Sequence, residues 1–170
     1  MELYLERGFD ETTVAAIAER AGLTERTFFR HFADKREVFF AGTTAMLTRI
    51  TDTVRDAPEG LGALVIAARA IDAAAGHISQ RGFSRQRQAI IDATPELQER
   101  ELIKLAGWSS AIAEALRERG FADPAASLAA ESAVSVFKVA FGRWLASDDE
   151  RALTDYTHEA FAELRSLTAA

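Results

Sequence analysis

The chain has 170 residues, the length of one domain or of two small ones sharing an interface. Cys is absent and the three His are scattered, so neither a disulfide framework nor a metal site is expected, and no cofactor motif is present. Hydrophobic residues at 48% exclude wholesale disorder, and a net charge of −6 counts against a surface that is basic throughout. No basic-then-apolar leader opens the chain, and its apolar runs fall short of a membrane span. The expectation is a soluble cytoplasmic protein with no membrane partner.

In chain order, Leu3, Tyr4 and Leu5 belong to a helix that stops at Gly8. Its pattern is already running at Met1, so the front of this helix is expected to be missing. A second helix opens after Thr12-Thr13 with Val14, Ile17, Ala18 and Ala21 on one face, and ends at Gly22. A third starts after Thr24 as N-cap and runs to about Phe32. Asp34 with Glu37 three residues on resembles a capping box and opens one long helix through Phe39, Met46, Ile50 and Val54. It ends near Pro58, where the composition shifts.

Leu61, Leu64, Ala68, Ile71, Ala75 and Ile78 then form a helical stripe, and a short helix with Ile90 and Ile91 follows Gly82. Thr94-Pro95 and Asp123-Pro124 each read as a cap followed by a first-turn proline, opening helices to about Arg119 and past Trp144. Ser147 to Glu150 reads as the capping box of a last helix through Leu153, Tyr156, Ala160 and Leu164. No segment reads as a strand. The fold class is all-α with about nine helices, divided into residues 1–57 and residues 58–170.

The two short helices between Thr12 and Phe32 have the dimensions of a helix-turn-helix. Ala18 or Ala21 permits close approach, Gly22 suits a corner with positive φ, and Leu23 is the expected inward apolar residue of the turn. Between Thr24 and Arg36, four cations (Arg26, Arg30, Lys35, Arg36) face two acids (Glu25, Asp34), against an acidic balance over residues 1–56. Positive charge is therefore focused where a duplex backbone would lie. Such spacing also arises in plain helix packing, and two other readings stay open on the residues alone: a helical enzyme, or a bundle for protein interaction. No nucleophile–base pair or phosphate-binding glycine loop supports the enzyme.

The contiguous run from Glu6-Arg7-Gly8-Phe9 through Thr12-Thr13-Val14-Ala15-Ala16-Ile17-Ala18-Glu19-Arg20-Ala21-Gly22-Leu23-Thr24 to Phe32-Ala33-Asp34-Lys35-Arg36-Glu37 resembles the DNA-binding region of the TetR family. The resemblance implies a non-enzymatic transcriptional regulator that binds a double-stranded operator. It implies that Thr13, Thr27, His31 and Lys35 touch phosphates, that Thr24, Glu25, Arg26 and Thr27 lie nearest the bases, and that Arg30 serves either. Two features depart from the family pattern. Phe29 stands where the family has Tyr, leaving only ring packing, and the basic segment usual before the first helix is absent.

The resemblance further implies a C-terminal half that binds a small effector and forms a homodimer. Polar residues interrupting apolar helices, His77, Gln88, Trp108 and Ser109, are the effector candidates. Arg85 joins them, because the run Arg81 to Arg87 offers an anion site. An apolar or amphipathic effector suits the Leu, Ile, Val and Phe content, and release of a repressor from its operator is the expected mechanism. The stretch through Pro95 resembles actinobacterial regulators of lipid or redox-cofactor pathways. The dimer face is expected on the helix after Pro124, through Ala125, Ala129, Ser132, Val136, Val139 and Ala140, the alternative being that this face packs on its own subunit. Tyr156, Ala160 and Leu164 of the last helix complete it.

Overall fold

The computed structural model describes residues 1–168, which contain ten α-helices and no strand. α1 (Glu2–Glu11), α2 (Val14–Arg20) and α3 (Glu25–His31) form the N-terminal unit. α1 bends at Gly8, whose φ of 80° lies in the left-handed region. The caps read from the sequence are present: Thr13 Oγ1 accepts from Ala16 N, Thr24 Oγ1 from Thr27 N, and Asp34 Oδ1 from Glu37 N. Gly22 turns the corner between α2 and α3 at φ 67°. Leu23, in contrast to expectation, is exposed. Ala18 and Phe28 are the buried apolar residues of α2 and α3 instead.

The single long helix expected from Lys35 to Val54 is two helices, α4 (Lys35–Phe39) and α5 (Thr43–Arg55). Gly42, at φ 91°, makes the break. A straight helix would separate Phe39 and Phe40 by about 100° and send them to different neighbours. The turn lets both rings enter a small cluster with Tyr4, Phe9, Ile91 and Leu97, while Ile50 and Val54 enter the main core. This cluster also joins the N-terminal unit to α7 and α8, so the chain through α4 is not its sole rigid attachment.

The main core is built by α5 with α6 (Ala63–Ala75), α8 (Pro95–Glu118), α9 (Ala125–Ala146) and α10 (Leu153–Thr168), with α7 (Arg81–Ala93) laid across α8. Ile66, Ile71, Ile112, Leu116 and Trp144 are among its fully enclosed side chains. α9 is long and apolar enough to cross a membrane by length and composition, although no uninterrupted apolar run suggests it. Alanine supplies the average, and the Ala126, Ala130, Ala133 and Ala140 face packs against its neighbours.

α10 begins at Leu153, not after Ser147. Residues 147–151 instead form a loop held from outside. Arg81 Nη1 donates to Ser147 O at 3.0 Å, Arg85 Nε to Leu145 O at 2.6 Å, and Trp144 Nε1 to Arg151 O at 3.2 Å. The two arginines satisfy carbonyls that the end of α9 leaves without intrahelical partners, and Trp144 ties the far end of the loop back to α9.

Candidate functional site

The N-terminal end of α3 presents an exposed polar face. Thr24, Glu25, Arg26 and Arg30 are exposed, and Thr27 is half-buried with its hydroxyl 3.0 Å from that of Thr24. Arg26 makes no hydrogen bond or ion pair among the described residues, so its five donors remain available. Arg30 Nη2 lies 3.3 Å from His31 Nε2. Phe28 is buried beneath them, while Phe29 is 54% exposed and meets Phe28 edge-on at 5.4 Å. Phe29 thus adds an apolar patch beside the polar face.

Lys35 takes a different position from the free phosphate ligand the sequence suggests. Its ammonium donates to Phe9 O at 2.7 Å and Asp10 O at 3.1 Å, and lies 4.3 Å from the Phe9 ring centroid. Tyr4 reinforces the same junction by donating from its hydroxyl to Lys35 O at 2.7 Å. Burial, aided by nearby Asp34, pushes the Tyr4 phenol up to about 12. The start of α4 is therefore tied to α1 from both sides.

A cavity of about 640 Å³ opens between the α4–α5 joint and helices α7, α8 and α9. Its walls are aromatic: Phe39, Phe40, Phe83, Trp108, Phe137 and Phe141 all line it. Glu101 is its single carboxylate. It accepts from Lys104 Nζ at 2.6 Å and from Arg87 Nη2 at 3.4 Å. The Arg87 guanidinium also stands 5.1 Å from the Phe39 ring and 5.0 Å from the Phe40 ring. Burial holds the Lys104 ammonium below its usual range, with Glu101 opposing that shift.

Of the effector candidates, His77 and Trp108 line this cavity. Arg85 does not, because it is spent on Leu145 O, Ser147 O and Asp148 at the end of α9. Gln88 bonds Asp92 along its own helix at 2.8 Å, and Ser109 is buried outside the cavity lining. Arg87 entered the sequence reading only as the end of the run from Arg81, and Glu101 and Lys104 were missed by it. Glu101 and Lys104 sit at i, i+3 and look like an ordinary solvated pair.

The expected dimer face is largely internal. Ala129, Val136, Ala140, Tyr156 and Ala160 are buried in the chain's own core, and Ser132 and Leu164 are half-buried. α9 lies among α6, α8 and α10, which consume its alanine face. Ala125 and Val139 remain exposed, and Leu128, at 63% exposure, joins Val139, at 58%, on one outward face. Among the described residues no group of three His, Asp or Glu comes together as a metal-ligand set.

Comparison with known proteins agrees with this architecture. Residues 1–41 match the bacterial regulatory proteins of the tetR family, and residues 60–169 match the MftR C-terminal domain. The mycofactocin biosynthesis transcriptional regulator MftR of Mycobacterium tuberculosis is 30% identical, over 95% of this chain and 83% of that protein. Among solved structures, a TetR-family regulator from Mesorhizobium loti has a TM-score of 0.56 at 18% identity, covering 99% of this chain and 90% of that one. Thermus thermophilus FadR, a TetR-family repressor in complex with lauroyl-CoA, has a TM-score of 0.52 at 22% identity, covering 96% of this chain and 88% of that one. The chain belongs to the TetR family of transcriptional regulators, with a helix-turn-helix N-terminal part and a helical C-terminal part. Within that family its C-terminal part is of the MftR type.

Proposed function

We propose that this regulator is a cytoplasmic homodimeric repressor, without catalytic activity, that binds a duplex operator through α3 and leaves it when an apolar or amphipathic effector fills the aromatic cavity. The observation carrying this reading is that the cavity wall includes Phe39 to Thr43, the joint between the helix following the reading head and the core. A ligand there acts on that joint directly. Its effect equals its preference for the released arrangement over the DNA-bound one.

Thr24, Glu25, Arg26 and Thr27 are assigned to base edges. Thr13, Arg30 and His31 are assigned to phosphates, with Phe29 packing beside the backbone. Lys35 contributes to DNA binding chiefly by fixing α4 against α1. Residues 1–57 serve as the DNA-binding part with its connecting helix, and residues 58–170 as the effector and dimer part, although α5 packs with the latter. The two-fold contact uses the outward face of α9 around Leu128, Ser135, Val139 and Gly142, supported by their exposure. The role named for the M. tuberculosis relative makes genes for mycofactocin biosynthesis the first targets to examine.

The test is fluorescence anisotropy of the full chain on its own upstream region and on a scrambled duplex, from about 50 to 200 mM salt. Preference for the upstream region, with affinity falling steeply as salt rises, is expected. Absence of binding at the lowest salt overturns the reading.

A further inference from the structure

The cavity is cationic in an acidic protein. Arg49, Arg87 and Lys104 line it against Glu101 alone, while the whole chain carries a net charge of −6. Arg87 and Lys104 share that one carboxylate, and their side chains are only 20% and 14% exposed. An ion pair built solely to tie α7 to α8 needs one cation for its carboxylate; the second cation is surplus to that task. In place of a second carboxylate the two cations rest on ring faces, Arg87 on Phe39 and Phe40, and Lys104 on Phe40 and Trp108. Ring faces compensate a desolvated cation less well than an anion does. A second feature points the same way. Trp108 lines the cavity, and its buried Nε1 has no acceptor among the described residues.

We propose that Arg87, Lys104 and Glu101 form a subsite for a single carboxylate, so that the effector is an amphiphile with one carboxylate head and an apolar body against the aromatic wall. This rests on the ligand-controlled reading above and names the chemistry of its ligand. Arg49 is exposed, so solvent compensates its charge, and one negative charge balances the three enclosed groups; the two of a phosphate monoester exceed them. The carboxylate draws Arg87 and Lys104 toward itself and away from Phe40, and so reaches the α4–α5 joint through the same side chains that recognise it. Its arrival also relieves the burial cost that holds the Lys104 ammonium below its usual range.

The experiment is calorimetric titration of the full chain with decanoate and 4-tert-butylbenzoate, each against its neutral alcohol, decan-1-ol and 4-tert-butylbenzyl alcohol. Decyl phosphate is a further probe, and operator anisotropy is followed alongside. Each carboxylate that fits is expected to bind at least about tenfold more tightly than its alcohol, the scale of one charge-assisted hydrogen bond. The tighter of the two acids identifies an alkyl or an aryl body. Lys104→Met should erase the preference and Lys104→Arg should restore it; if Lys104→Met does not fold, Arg87→Met serves the same comparison.

Equal binding of acids and alcohols, a preference that survives Lys104→Met, tighter binding of decyl phosphate than of decanoate, or no binding of either acid overturns the proposal. An alcohol that matches its acid and still releases the operator sinks the subsite but leaves ligand-controlled release intact. An acid that saturates the wild type with full preference yet leaves the operator bound supports the subsite and refutes the release reading.

Discussion

The Arg87 guanidinium lies 5.0 Å from the Phe40 ring centroid while its Nη2 is 3.4 Å from Glu101, so one side chain joins the cavity wall to the end of α4. Arg87→Met keeps most of the aliphatic stem and removes the charge. If this contact transmits occupancy of the cavity as well as binding the carboxylate, the variant should bind operator but, with effector at saturation, shift operator affinity at least about tenfold less than the wild type, a loss near 1.4 kcal/mol of coupling. Anisotropy titrations of operator complexes against the best-binding carboxylate measure it. Unchanged inducibility would remove Arg87 from the mechanism.

Lys35 separates two accounts of one residue. As a phosphate ligand alone, its removal would weaken DNA binding and leave the fold untouched. Its ammonium is bonded to two carbonyls of α1, so Lys35→Ala should also cost about 1–2 kcal/mol of stability. Thermal and urea unfolding in the absence of DNA distinguish them. An unchanged midpoint would return Lys35 to a purely phosphate-binding role.

Tyr4 gives the N-terminal unit an alkaline limit. Its phenol is raised from 10.0 to about 12 in the folded chain, so the folded state holds this proton more tightly than the unfolded state. The contribution is fully present below pH 10 and is lost as pH rises through 12, amounting to at most about 3 kcal/mol. Stability measured across that window should fall in the wild type. In Tyr4→Phe the Tyr4 part of the fall should vanish, at a cost of about 1 kcal/mol at neutral pH for the lost bond to Lys35 O. Equal alkaline losses in both proteins would contradict this assignment.

The outward face of α9 predicts a separable assembly defect. Leu128 and Val139 are exposed within the chain, so Leu128→Glu with Val139→Glu should change monomer stability by less than about 1 kcal/mol. Light scattering on the eluting protein should then show a monomer, and affinity for a two-half-site operator should fall. A variant that remains dimeric would place the two-fold contact elsewhere.

The helices were legible because their apolar stripes and caps are local signals. Thr13, Thr24 and Asp34 each accept the backbone N–H expected of an N-cap. The break at Gly42 was not legible, since Phe39, Met46, Ile50 and Val54 keep a continuous helical period across it. Only the demand of two different clusters for Phe40 and Ile50 reveals the turn.

The same limit governs the cavity. Arg85 and Arg87 are two positions apart on α7, about 200° around the helix, so one caps α9 and the other meets Glu101. Their surroundings in the sequence do not separate them. The exposed polar face of Thr24 and α3 was more readable, because its separation from buried Phe28 follows the period of one short helix. The outward face of α9 was less readable for the opposite reason: small residues on α9 suit close packing of any kind, and here the chain's own helices use most of them.

The most direct test of DNA reading by α3 is a footprint of the wild type and Arg26→Ala on the upstream region at low salt. Protection of two half-sites about one helical turn apart, or a multiple of it, is expected for the wild type. Arg26→Ala should lose about 1–3 kcal/mol on that site and little on random duplex. No protection by the wild type, or equal losses for Arg26→Ala on both duplexes, would contradict the assignment of α3 as the reading helix.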